Sequence, residues 1–253
     1  MKIAVVGGTG LCDWPDMQWL GKQGVQTRFG EPSAELHTGM LNGVEFVFLP
    51  RHGGAHSIAP HRINYRANIA ALQQVGVTHI LAVNAVGGLT EALGPGAMAV
   101  PAQIVDYSWG RECSFADGEA GPLDHVDFSE PYSAPLRQQL LASAAALGYW
   151  CFDGGVYACT QGPRLETAAE IRRLQADGCH LVGMTAMPEA VLARELGIDY
   201  ASLCLVVNWG AGMTREPITM DEIGRVLSSG MSRVCHLLGH TIGSLAQTSA
   251  PVT

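Results

Sequence analysis

The sequence predicts an α/β fold built on a mixed or mostly parallel sheet. Three observations carry this. Short apolar runs rich in β-branched residues recur with little polar alternation, as in strands buried on both faces. Segments with helical spacing lie between several of them, and most end at glycine, a common helix stop. The 253 residues, 47% hydrophobic, suit one large domain with an ample core, and no internal repeat or linker divides them. The domain is expected over 1–246, with the tail QTSAPVT (247–253) disordered.

The expected strands, in order, are IAVVGG (3–8), VEFVFLP (44–50), HILAVNA (79–85), MAVPAQIVDY (98–107), HLVGM (180–184) and YASLCLVVN (200–208). The first run stops at glycine and is too short for a signal peptide or a membrane span. The expected helices are 63–76, with Ile69, Leu72 and Val75 on one side, then 131–148, 164–178, 187–197 and 219–246. The stretch 108–130 is polar and loop-like, with Arg111, Glu112, Asp117, Glu119, Asp124 and Asp127. A loop of that length inside a compact domain is often functional.

A formal net charge of −8 argues against nucleic-acid or membrane-surface binding, but leaves room for an anionic small molecule in a local cationic pocket. Seven cysteines stand at 12, 113, 151, 159, 179, 204 and 235. An odd, scattered set without CxxC fits a reducing cytoplasm.

Several motifs sit where strands end. VVGGTG (5–10) offers backbone N–H groups and the Thr9 hydroxyl to an anion. It does not match GxGxxG or GxxxxGK[ST], and a purely structural turn is the alternative. LPRHGGAHSIAPHR (49–62) holds Arg51, His52, His56, His61 and Arg62. The His52/His56 spacing suits a zinc helix, but Gly53, Gly54 and Pro60 oppose a helix there. A cationic loop receiving an oxyanion is more economical, since Arg is a planar donor fork. VNAVGG (83–88) and GMTAMPEA (183–190), with Thr185, add donors at strand C-termini, where ligands of open α/β sheets gather. TQGPRLETAAEI (160–171) reads as a turn entering a helix, with Pro163 in its first turn. Glu166 then complements the helix dipole, or else faces a ligand. No GxSxG elbow or Cys/His nucleophile pattern is present.

The ordered set GGTGL, PRHGGAH, NYRANI, NAVGG, QGPRLETAAEI, GMTAMPEA and VVNWGAG resembles the trimeric purine nucleoside phosphorylase and methylthioadenosine phosphorylase family. The likeness runs from about residue 1 to 245. It implies a single α/β domain with helices around a mixed sheet, and phosphorolysis of a purine nucleoside to free base and a ribose 1-phosphate. It implies no cofactor and no metal, with inorganic phosphate as co-substrate, and a cytoplasmic homotrimer or dimer of trimers acting in purine salvage. By position, the resemblance assigns Thr9, Arg51, His52, Asn84, Ala85 and Thr185 to phosphate. It assigns Met184 to the underside of the ribose, His56 to the sugar, and His125 to a neighbouring subunit's site. Trp209 and Gly210 fall in the substrate-binding segment with Asn208.

Substrate choice follows from two edges. A carboxylate only accepts hydrogen bonds, so Glu166 suits the N1–H of a 6-oxopurine; adenine-specific members of the family have Ser there. Asn208 replaces an Asp of those members, and its amide can donate to O6 or N7. At the sugar end the resemblance places Met220 and Ile223 over the 5′ substituent. They suit a methylthio group better than a hydroxyl, with plain helix core as the alternative for Met220. The expected substrate is therefore 5′-methylthioinosine, giving hypoxanthine and 5-methylthioribose 1-phosphate. A general inosine/guanosine phosphorylase, a methylthioadenosine phosphorylase, a hydrolytic nucleosidase and a non-catalytic nucleotide module are the rivals.

Overall fold

The computed structural model describes residues 1–8, 11, 14, 17–55, 57–116, 118 and 123–248. Its centre is four parallel strands: β1 (Ile3–Gly7), β4 (Val44–Pro50), β5 (His79–Gly88) and β11 (Asp199–Trp209), in the spatial order β4-β1-β5-β11. Side chains alternate across it. Ala4, Val6, Ile80, Ala82, Cys204 and Val206 enter one core, and Ile3, Val5, Leu81, Val83, Leu203 and Leu205 enter the other. That is why these strands read as unbroken apolar runs. Helices α1 (Tyr65–Gln74) and α4 (Glu189–Glu195) cover the first face, and α2 (Ala134–Ala146) and α5 (Met220–Thr248) the second.

The sheet is mixed. On one side β4 continues antiparallel to β3 (Leu36–Leu41) and then β2 (Gln18–Gln23). At its far end β5 takes β10 (Leu181–Gly183) antiparallel, followed in parallel by β9 (Val156–Cys159) and β7 (Gln103–Asp106). Strand β11 also carries β6 (Met98–Val100), which pairs with β8 (Cys151–Asp153). So β5 is the fork from which two wings of an eleven-stranded sheet diverge.

The expected elements are present with four revisions. The run 98–107 is two strands, because Pro101 has no N–H to give a ladder. Helix α3 is Ala168–Ala176, shorter than 164–178. Strands β2, β3, β8 and β9 were not expected; β2 is exposed throughout and so has no burial signature. Helix α5 runs to Thr248, two residues into the expected tail, since no breaker precedes Pro251; residues 249–253 lie outside the described residues. Helices α1 and α3 stop at Gly76 and Gly178, whose φ of +82° and +80° suit the residue beyond a C-cap. Among the described residues no helix is long and apolar enough to cross a membrane.

Candidate active site

A cavity of about 680 Å³, in the size range of small-molecule sites, opens at the C-terminal ends of β1, β4, β5 and β11. It has a polar end, an end bearing a carboxylate and an amide, and an apolar wall.

The polar end is built by loops leaving β1 (Gly8), β4 (Arg51, His52) and β10 (Thr185), with Asn84 and Ala85 of β5 between them. Asn84 and Thr185 are both buried, and Asn84 Nδ2 donates to Thr185 Oγ1 at 2.9 Å. Asn84 Oδ1 is buried without a partner, as expected of a group awaiting a ligand hydroxyl. His52 donates Nδ1–H to the Ile58 carbonyl at 2.9 Å, which sets the orientation of its ring.

Arg51 differs from expectation. The fork expected to face an oxyanion faces Glu189 instead: Nε and Nη2 each lie 2.7 Å from a carboxylate oxygen. Nη2 also donates to the Val6 carbonyl and Nη1 to that of Val83. Of five guanidinium N–H groups, one on Nη1 remains for a ligand. Tyr200 donates its hydroxyl to Glu189 Oε1 at 3.0 Å. Burial opposes the Arg51 charge, but the Glu189 carboxylate outweighs it and holds the guanidinium above its ordinary range. The polar end therefore has a neutralised ion pair behind it and offers mainly uncharged donors.

At the second end, Glu166 is not a helix-start carboxylate. Thr167 is the N-cap of α3, and Thr167 with Glu170 forms a capping box, so the first-turn acid is Glu170. Pro163 lies outside the helix, after a cis peptide bond. Glu166, freed from that duty, lines the cavity and accepts the Thr160 hydroxyl on Oε1 at 2.6 Å. Oε2 is left for a donor on a ligand. Asn208 reaches the same cavity through a register shift in β11 between Val206 and Asn208. The bulge lets consecutive residues, Val207 and Asn208, both line it, which a regular strand forbids. Asn208 Nδ2 donates to the Trp209 carbonyl at 2.7 Å, leaving its second N–H.

Met184 also lines the cavity, fitting beside Gly162, where a Cβ would collide with its sulfur. The apolar wall comes from α5: Met220, Ile223, Leu227 and Met231 line the cavity at spacings of three, four and four, one helix face. Met220 is 74% exposed, so it is not helix core.

Some expected residues are elsewhere. Trp209 and Gly210 do not line the cavity: the indole lies over Gly94, and Gly210 packs between Leu89 and Ile171. The bulge that turns Asn208 in turns Trp209 away. His125 is exposed and does not line the cavity. Thr9 and His56 lie outside the described residues. Thr160, Glu189, Tyr200, Leu227 and Met231 were not anticipated. The α5 pair was readable from the helical spacing; Glu189 was hidden inside an ordinary helix start.

The fold and cavity define a nucleoside-sized site in an α/β phosphorylase scaffold. Residues 2–243 match the model of the phosphorylase superfamily, and the chain belongs to that family. It is 48% identical over 240 residues to the "probable S-methyl-5′-thioinosine phosphorylase" of Xanthomonas campestris, covering 94% of this chain and 96% of that one. It is 41% identical to the 6-oxopurine nucleoside phosphorylase of Pyrococcus furiosus, covering 94% and 90%. Among solved structures, methylthioadenosine phosphorylase from Schistosoma mansoni in complex with adenine superposes with a TM-score of 0.92 at 32% identity, covering 98% and 92%.

Proposed function

We propose that this protein phosphorolyses 5′-methylthioinosine, releasing hypoxanthine and 5-methylthioribose 1-phosphate, in cytoplasmic purine salvage. The observation that carries the reading is one cavity holding Glu166 and Asn208 at one end, Asn84, Thr185 and the remaining Arg51 N–H at another, and the Met220–Met231 face over the rest. Relatives named as thioinosine and 6-oxopurine phosphorylases support it.

In this reading phosphate lies against Asn84, Ala85, Thr185, His52 and Arg51, and the family resemblance adds the hydroxyl of Thr9. One of its oxygens attacks C1′ as the N9–C1′ bond breaks and its electron pair moves into the purine. Positive charge gathers on the ribose and negative charge on the base. Phosphate beneath C1′ stabilises the first, and the Asn208 N–H at O6 or N7 the second. Glu166 accepts N1–H and orients the ring. Proximity and pre-aimed donors supply the acceleration. The protein works as a homotrimer or dimer of trimers, with His125 of one copy reaching its neighbour's site.

The test is product formation from methylthioinosine, inosine, guanosine and methylthioadenosine, with and without phosphate. Phosphate-dependent hypoxanthine release, fastest from methylthioinosine, is expected. Release in water alone, or adenine as the favoured product, overturns the reading.

A further inference from the structure

We infer that Arg111 is a positioning residue for catalysis, setting the separation between the loop that reads the base and the loop that holds the ribose and phosphate; this rests on the function proposed above. Arg111 comes from the polar 108–130 stretch and does not line the cavity. Its guanidinium crosses between the loops that follow the parallel neighbours β9 and β10. From the first loop it takes the Thr160 and Gln161 carbonyls at 3.1 and 2.9 Å through Nη2, and the Gln161 amide oxygen at 3.2 Å through Nε. From the second it takes the Met184 and Met187 carbonyls at 2.8 and 2.6 Å through Nη1. The Tyr65 ring lies 5.5 Å from its guanidinium carbon.

These are the backbones that carry the working side chains. Thr160 donates to Glu166, and Met184 precedes Thr185, the partner of Asn84. Thr160 N–H already reaches the Gly183 carbonyl and Met187 N–H reaches Cys159 Sγ; a carbonyl pair on each side of one rigid planar cation adds a direct tie further out, between Gln161 and Met184. Only a guanidinium presents enough coplanar donors for this bridge; an ammonium keeps the charge but satisfies at most three acceptors from a single point. Because misplacement of reacting groups by about 1 Å is felt on the order of a hundredfold, the bridge controls base selection as well as turnover.

The experiment uses the full chain with Arg111→Lys, Gln161→Ala and, as a control, Arg137→Lys. Arg137 likewise holds backbone carbonyls, those of Val100 and Pro101, but away from the cavity. Thermal unfolding, Kd for hypoxanthine by calorimetry, and the kcat/KM ratio of methylthioinosine to methylthioadenosine are measured. Arg111→Lys is expected to weaken hypoxanthine about tenfold and lower the ratio by a similar factor, Gln161→Ala about threefold in the same direction. Arg137→Lys lowers Tm only. If Arg111→Lys does not fold, Gln161→Ala decides. Hypoxanthine Kd and selectivity within twofold of the parent in the folded variants, or an equal loss in Arg137→Lys, overturn the inference. A parent that binds hypoxanthine but does not cleave methylthioinosine with phosphate overturns the proposed reaction instead, and the Kd series still judges Arg111.

Discussion

Arg51 and Glu189, 138 residues apart, meet as a bidentate pair with both contacts at 2.7 Å and both side chains almost wholly buried. The pair joins the end of β4 to the start of α4, and Tyr200 of β11 completes it. Removing one partner strands the other charge in a dry site. Glu189→Gln is expected to lower stability by about 3–5 kcal/mol, read as a fall in denaturant midpoint at unchanged slope. Arg51→Met with Glu189→Gln should recover much of the loss. A double variant no more stable than the worse single one contradicts this picture.

The same pair makes a kinetic prediction. Arg51→Ala raises the phosphate KM by the equivalent of about 1.5–3 kcal/mol, the range for a bond to a charged group, since it loses the Nη1–H and also exposes the anion to the unneutralised Glu189. In the Arg51→Met/Glu189→Gln protein stability returns but phosphate KM stays high. A phosphate KM unchanged in both removes Arg51 from the anion site.

At the base edge, Glu166→Gln leaves an amide that must rotate to offer its oxygen, and a partial loss of about 1–3 kcal/mol in kcat/KM is expected. Thr160→Val, which frees the carboxylate from its hydroxyl, should lose less in the same direction. Glu166→Ser with Asn208→Asp should move selectivity toward methylthioadenosine, because both edges then match a 6-aminopurine. The measurement is the kcat/KM ratio for the two thionucleosides; a ratio that stays put sinks the assignment.

At the 5′ edge, Met220→His should improve inosine relative to methylthioinosine by about 1–3 kcal/mol, since imidazole can bond a 5′-hydroxyl and crowds a methylthio group. Leu227→Ala, deeper on the same helix face, should weaken methylthioinosine without helping inosine. Competition between the two nucleosides reads both effects directly.

Much of this was legible locally. The central strands declared themselves because both faces are buried, and the helices because glycine ends them. The hairpin β3–β4 went unread although its signal was there: Asn42–Gly43, with φ of +50° and +78°, is the dipeptide a two-residue hairpin turn favours. The start of α3 was also written out, since Thr167 and Glu170 have the capping-box spacing, yet Pro163 and Glu166 mimic a helix entry and drew the boundary four residues early. The motifs named most of the cavity wall. What local reading could not supply were relations across the fold: that Glu189 would occupy the Arg51 fork, that a bulge would turn Asn208 inward and Trp209 out, and that Arg111 would reach two loops at once.

The division of the cavity wall bears on how such an enzyme changes its diet. In the proposed reading the base is met by Glu166 and Asn208 and the 5′ group by one face of α5, and these come from separate lengths of chain that share no hydrogen bond among those described. Substitutions at sites without shared partners add nearly independently, within about 0.5 kcal/mol. A lineage can therefore exchange its purine while keeping its thioether, or the reverse, because a change at one edge leaves the recognition energy at the other nearly as it was.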